Sequence, residues 1–305
     1  MLLRPNLLGI DLDCPVIQIQ DVSKRYGNVQ ALLGINLSVC AGELFGFLGP
    51  NGSGKTTLIR VIMGFLKADA GGVRVFGLDP WKEPQKTKSR IGFLPDGSRL
   101  YDGMTGYAFL EYMAGLHTSP ATMRQELCDR LEIGKRDLRR KIKGYSHGMK
   151  RKLGIIQAIQ HDPDLLILDE PTQGLDPLTQ KSFSEILREL QSKGTTIFFS
   201  SHILSEVEQL CERVGIIRNG TLAAVEKVDD LPGRKVRIME VVFRGPPPDD
   251  ISLQGVEILQ RDARSWRLVV RGDVNPVLQK ITKYDLEDFV FERPPLEEIF
   301  LDYYR

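Results

Sequence analysis

The apolar positions change their spacing along the chain, and the changes divide it into elements. From Val16 onward, short β-rich runs alternate with turn signals: VIQIQDV at 16–22, INLSVC at 35–40 and ELFGFL at 43–48. Leu58, Ile59, Ile62 and Phe65 then fall at helical spacing and predict a helix over Thr56–Leu66. A strand-and-turn stretch follows at 71–79, with another apolar run at Ile91–Leu94. Residues 105–161 read as mainly helical, with cations clustered between Lys135 and Lys143. Strands and helices alternate beyond that: Leu165–Leu168, a helix over 177–192, Thr195–Ser201 and a helix over 203–212. Such alternation predicts an α/β fold with a largely parallel sheet.

The texture shifts near Glu226. The run Gly245-Pro246-Pro247-Pro248-Asp249-Asp250 lies inside neither a strand nor a helix and marks a linker or loop. Around it the pattern gives a strand at 236–243, two strands joined across Arg261–Ser265, a helix near 276–283, a strand at 287–292 and a last helix from Leu296. These make a small C-terminal α+β domain of about 80 residues, near the lower limit for independent folding. Residues 1–15 read as a loose leader: Arg4, Pro5, Asp11 and Asp13 break its leucines, unlike the apolar core of a signal peptide. The domain boundaries expected are therefore 1–15, 16–226 and 227–305.

Composition narrows the partners. In 305 residues, 41 Lys and Arg stand against 40 Asp and Glu, a net charge of +1 that excludes broad phosphate neutralisation of nucleic acid. With 42% hydrophobic residues the chain is no disordered or solvating tail. No run of about 18 apolar residues spans a membrane. Cys14, Cys40, Cys128 and Cys211 are far apart, without zinc-type spacing, and are expected to be reduced. These features together suggest a cytoplasmic protein.

Three segments carry chemistry. Gly49-Pro50-Asn51-Gly52-Ser53-Gly54-Lys55-Thr56 fits G-x-x-x-x-G-K-[ST] between an apolar strand and an amphipathic helix, and Thr57 continues it. Glycines let backbone N–H groups wrap phosphates at a helix N-terminus, Lys55 supplies a point charge, and the Thr56 hydroxyl suits Mg²⁺. Asp169-Glu170 ends a buried-type strand, so both carboxylates face the ligand crevice of a parallel sheet. Asp169 is expected to hold Mg²⁺ and Glu170 to orient and deprotonate the attacking water. His202, after the strand Ile197–Ser201, reaches the same edge, where it can bond the γ-phosphate and the water. A packed structural imidazole is the competing reading for His202.

The order of these motifs resembles the ATP-binding subunits of ATP-binding cassette (ABC) transporters over about residues 16–226. Its most specific element is Tyr145-Ser146-His147-Gly148-Met149, similar to the family's L-S-G-G-Q with the first Gly and the Gln replaced. The resemblance implies a P-loop ATPase core with a helical subdomain over about 97–161, and two chains that sandwich two ATP molecules. It implies that Ser146 and Gly148 grip the γ-phosphate on the partner chain's loop, and that Tyr26 stacks on adenine. Asp176, in Gly174-Leu175-Asp176-Pro177, would communicate across the dimer. Asp96 stands where most members have a Gln that reaches Mg²⁺ and the water. It is shorter and charged, and acidic replacements there resemble relatives paired with exporter-type membrane subunits. The end of the chain, Pro294–Leu301, is similar to the accessory tail of drug- and ion-export ATP subunits.

Spacing discriminates further within that resemblance. Ser146 follows Lys55 by roughly 90 residues, which leaves no room for the coiled coil of chromosome-maintenance relatives. The single phosphate loop differs from the two cassettes of translation-factor relatives. The expected protein is thus an ATPase that forms a homodimer, or pairs with a related chain, and sits on the cytoplasmic face of a membrane through a separate permease. It would contact that permease around Leu100–Tyr112 and would not bind nucleic acid. A non-transport cassette acting on another cytosolic machine is the alternative. The C-terminal domain reads either as regulatory and dimer-supporting or as a passive appendage.

Overall fold

The computed structural model describes residues 15–97, 100–231, 236–247 and 255–292. The leader up to residue 14, Pro248–Asp250 of the proline loop, the predicted last helix and the Pro294–Leu301 tail lie outside the described residues. The chain forms two units that divide between Val228 and Asp229.

The first unit opens with β1 (Pro15–Tyr26), so Pro15 belongs to a strand rather than to the leader. It pairs antiparallel with β2 (Val29–Cys40). Next come β3 (Leu44–Leu48), α1 (Lys55–Ile62) and β4 (Ala70–Val75), which returns antiparallel to β1 and completes a three-stranded sheet. After α2 (Pro84–Lys88) and β5 (Ile91–Leu94) come the helices α3 (Gly106–Ala114), α4 (Arg124–Arg130), α5 (Lys135–Leu138) and α6 (His147–Ile159). The unit ends with β6 (Leu165–Asp169), α7 (Pro177–Ser192), β7 (Thr196–Ser201), α8 (Leu204–Leu210), β8 (Arg213–Arg218) and β9 (Thr221–Lys227).

The main sheet has the order β5-β6-β7-β3-β8-β9, with the first five strands parallel and β9 antiparallel. Every residue of β3, β6 and β7 is buried, as expected of central parallel strands covered on both faces. Phe198 lies between Phe45 and Phe47, with ring centroids 5.9 and 5.3 Å away, in an apolar cluster that also takes in β1, β2 and α1. Because β6, β7 and β3 are neighbours, the residues that leave their C-terminal ends emerge side by side. That edge carries Gly49, Glu170 and His202.

One expectation needs correction, and one element was not expected at all. The helix after the phosphate loop stops at Ile62, not Leu66, because the chain turns at Gly64 with φ +61°. Phe65, placed by periodicity on the buried stripe, is therefore 51% exposed. The hairpin β8–β9 was not anticipated. Its signal is Asn219-Gly220, both at positive φ (47° and 76°), as a tight two-residue hairpin turn requires.

The second unit is a four-stranded antiparallel sheet of β10 (Val236–Phe243), β11 (Val256–Arg261), β12 (Ser265–Arg271) and β13 (Leu286–Glu292), in the order β11-β12-β10-β13. Helix α9 (Asn275–Ile281) precedes β13. Alternate residues Met239, Val241 and Phe243 join Trp266, Leu268 and Val270 on one face and pack with Val277 and Ile281 of α9.

Candidate functional site

The phosphate loop is set by its backbone. Gly54 precedes α1 with φ +111°, and a Cβ there would lie 2.6 Å from the Ala31 carbonyl oxygen, so only glycine fits. The unanticipated hairpin braces the loop: the Gly220 N–H donates to the Ser53 carbonyl at 2.9 Å, and the Gly220 carbonyl accepts from Leu33 N–H at 2.7 Å. Lys55 is buried, and its Nζ donates to the carbonyls of Gly49 (2.6 Å) and Pro50 (3.2 Å). The same ammonium pairs with Glu170 Oε1 at 3.1 Å.

Opposite the loop, the end of β6 is polar and buried. Asp169 accepts from Thr56 Oγ1 at 2.9 Å and from Ser200 Oγ at 2.7 Å. Burial pushes the Asp169 carboxyl up and those two hydrogen bonds oppose the shift, while the charges of Asp96 and Glu170 add to it. Glu170 Oε2 meets His202 Nδ1 at 2.7 Å and accepts from the His202 N–H at 3.3 Å. The Glu170 N–H donates to the carbonyl and to Oγ of Ser200, both at 3.2 Å. Glu170 itself has φ +49°, an uncommon conformation for a residue with a side chain.

Loop and strand ends enclose an open cleft of about 610 Å³. Asn51, Gly52, Gly54, Lys55, Thr56 and Thr57 line it from the loop, and Asp96, Glu170 and His202 from the facing sheet edge. Gly49 and Ser53 lie behind the loop, where a Cβ on Gly49 would lie 2.7 Å from Ser53 Oγ. Asp169 sits deeper, at 1% exposure. Five lining residues were missed by sequence reasoning: Val29, Gln30 and Ala31 at the start of β2, Gln173, and Asn219 at the turn of the hairpin.

Four further expected residues are not on the cleft lining. Tyr26, 44% exposed, ends β1 and pairs in register with Val29, which does line the cleft. Ser146 caps α6, its Oγ accepting from Met149 N–H at 3.2 Å. Gly148 approaches the Gly174 carbonyl so closely that an added Cβ would lie 3.0 Å from it. The departing residue His147 packs its ring against Gly174, where a Cβ would come within 2.3 Å of His147 Cδ2. Asp176 caps α7, accepting from Thr179 N–H (2.9 Å) and Thr179 Oγ1 (2.6 Å). Glu206 of α8 ties this region down by accepting from Thr172 Oγ1 at 2.6 Å and from Ser201 Oγ at 2.7 Å.

The residues present fit a nucleotide and its metal. The Lys55 ammonium lines the cleft beside the loop glycines Gly52 and Gly54, the donor set that polyphosphate oxygens require. Among the described residues no cluster of three or more His, Cys, Asp or Glu forms a metal cage. Mg²⁺ does not need one, because it takes one or two carboxylates with phosphates and water, and Asp169, Asp96 and Thr56 supply such donors.

A parallel sheet that carries a phosphate loop, with an acidic strand end facing it, defines a P-loop nucleotide hydrolase. The family described as ABC transporter matches residues 32–173. An ABC transporter ATP-binding protein of Bacillus subtilis, YdbJ, is 42% identical over 69% of this chain and 68% of its own length. The daunorubicin resistance ATP-binding protein DrrA3 of Streptomyces coeruleorubidus is 33% identical over 93% of this chain and 94% of its own. A solved ATP-binding subunit of an ABC transporter superposes with a TM-score of 0.67 at 28% identity, covering 72% of this chain and 92% of that one. The chain belongs to the ABC transporter ATP-binding family and is an ATPase. Among the described residues no helix is long and apolar enough to cross a membrane.

Proposed function

We propose that this ATPase dimerises around two ATP molecules and drives export through a separate membrane permease, on whose cytoplasmic face it sits. One observation carries the catalytic reading: Lys55, Thr56, Asp96, Glu170 and His202 converge on a single cleft although more than 140 residues separate the first from the last. In this reading Lys55 and the loop N–H groups bind the β- and γ-phosphates. Thr56, Asp169 and Asp96 would hold Mg²⁺, which when bound would supply positive charge to offset that of the phosphates. Glu170 takes the proton of the attacking water, and His202, bonded to the Glu170 carboxylate, orients that group.

The dimer reading is supported by Ser146 and Asp176, both at exposed helix N-termini outside the cleft. The adenine role of Tyr26 is supported by its pairing with Val29, which lines the cleft. The permease reading is supported by an apolar groove of about 980 Å³ lined by Phe65, Leu100, Tyr101, Phe109, Met113 and Leu116, with Lys86 and Lys88 on one wall. Its position agrees with the expected contact at Leu100–Tyr112. Export is favoured by the likeness to a protein named for daunorubicin resistance along nearly the whole chain.

Replacement of the base tests the proposal. Glu170→Gln keeps the shape of the side chain but removes its basicity, so ATP turnover should fall by roughly 10²–10⁴-fold while ATP binding persists. Size-exclusion chromatography of this variant with ATP should show a dimer. Wild-type turnover would refute the assignment of Glu170, and a monomer at saturating ATP would refute the sandwich.

A further inference from the structure

Lys150-Arg151-Lys152 is a run of three cations on α6, and burial separates their fates. Lys150 reaches Asp102 at 2.7 Å, and Lys152 lies 3.8 Å from Asp176. Arg151 instead points inward and is only 3% exposed. A buried cation is costly unless its donors are satisfied, and here they meet backbone carbonyls from two different segments. Nε donates to Pro171 O at 3.0 Å and Nη1 to Pro95 O at 2.9 Å. Nη2 donates to Asp169 O at 2.7 Å and to Glu170 O. Burial pulls the guanidinium pKa down, and the carboxylates of Asp96, Asp169 and Glu170 pull it back up.

Those carbonyls belong to the catalytic machinery. Pro95 immediately precedes Asp96, and Asp169, Glu170 and Pro171 are consecutive at the end of β6. Glu170 holds a left-handed backbone (φ +49°), a conformation that persists only where the surroundings over-determine it. Ser200 grips its N–H and Arg151 grips its C=O. We infer that Arg151 is a positioning residue, a planar clamp that fixes the peptide of Glu170, ties it to the Asp96 segment and joins both to the helix that Ser146 caps. A movement of α6 is thereby delivered to the base and to Asp96 together. A lysine cannot reproduce this, because one ammonium cannot span four carbonyls that a guanidinium fork reaches at once.

The inference rests on Glu170 being the general base, and the experiment separates the two. In the full-length chain, Arg151→Lys should lower kcat about tenfold to hundredfold, as a misplaced catalytic group does, with KM for ATP changed less than about threefold. Single-turnover hydrolysis in a Glu170→Gln background should then show little further loss on adding Arg151→Lys. Wild-type kcat in a folded Arg151→Lys protein overturns the clamp, as does a loss that multiplies fully in the Glu170→Gln background. A fully active Glu170→Gln protein instead removes the base reading itself. Where Arg151→Lys does not fold, Arg151→Gln offers a neutral planar amide with two donors, too few for the four carbonyls. It should lower kcat with KM held, and an unchanged kcat there overturns the clamp.

Discussion

At the scale of single residues, burial decides more than residue type. His161 follows α6 at 2% exposure, with its ring stacked on His117 at a centroid distance of 3.6 Å. Burial, then the neighbouring His117, pushes its pKa down to about 4 from an ordinary 6.5. Between those values the unfolded chain binds the proton and the folded one does not. Stability therefore falls as pH drops from 6.5 toward 4, by on the order of 3 kcal/mol when fully developed. His161→Phe keeps a ring against His117 but cannot titrate, so urea midpoints measured from pH 7 to 4.5 should fall less steeply than in the wild type. An identical slope would locate the acid sensitivity elsewhere. The same contrast explains what the sequence concealed. Lys55, Thr56, Asp169 and Glu170 stand in motifs whose spacing announces them. Arg151 stands in a run of three cations where only packing distinguishes the buried one.

Among elements, β3, β6, β7 and α7 were legible because each has a strong rhythm and ends at a polar punctuation mark. The hairpin β8–β9 was not read, because Arg213–Lys227 alternates weakly and its Asn-Gly turn was not connected with the phosphate loop that it braces. The end of α1 was misplaced because a buried stripe and an exposed groove residue such as Phe65 look alike in sequence. Helix α6 invites a direct test. Its cap, Ser146, lies off the cleft of its own chain, so Ser146→Ala should cost about 1 kcal/mol, or roughly 2–4 °C in Tm. Nucleotide affinity measured on the monomer should stay at the wild-type value. Chromatography of the ATP-bound Glu170→Gln variant should show the dimer weakened. An unaltered dimer would confine Ser146 to capping.

For the molecule as a whole, each unit closes its own core, and the two tryptophans report on different units. Trp81 is 49% exposed in the first, whereas Trp266 is 1% exposed in the second and meets Phe243 edge-on at 5.6 Å. A Trp81→Phe protein leaves Trp266 as the sole indole. Since only the first unit carries the phosphate loop, Mg²⁺ and ATP should raise the melting of that unit, followed by helical circular dichroism, more than the transition seen by Trp266 fluorescence. Equal shifts would mean that the units melt as one. The balanced charge of the chain fits such a protein, because its electrostatics are local: one ammonium and one guanidinium set against three carboxylates around the cleft.

The Asp176 carboxylate is already spoken for, since both of its oxygens are engaged by Thr179 at the start of α7. A carboxylate that swings away from α7 to meet a partner cassette would release that amide. The Thr179 N–H would then trade its proton for deuterium when the cassettes meet. One peptide in an isotope-exchange map could thus time the engagement of two subunits, without any label attached to either.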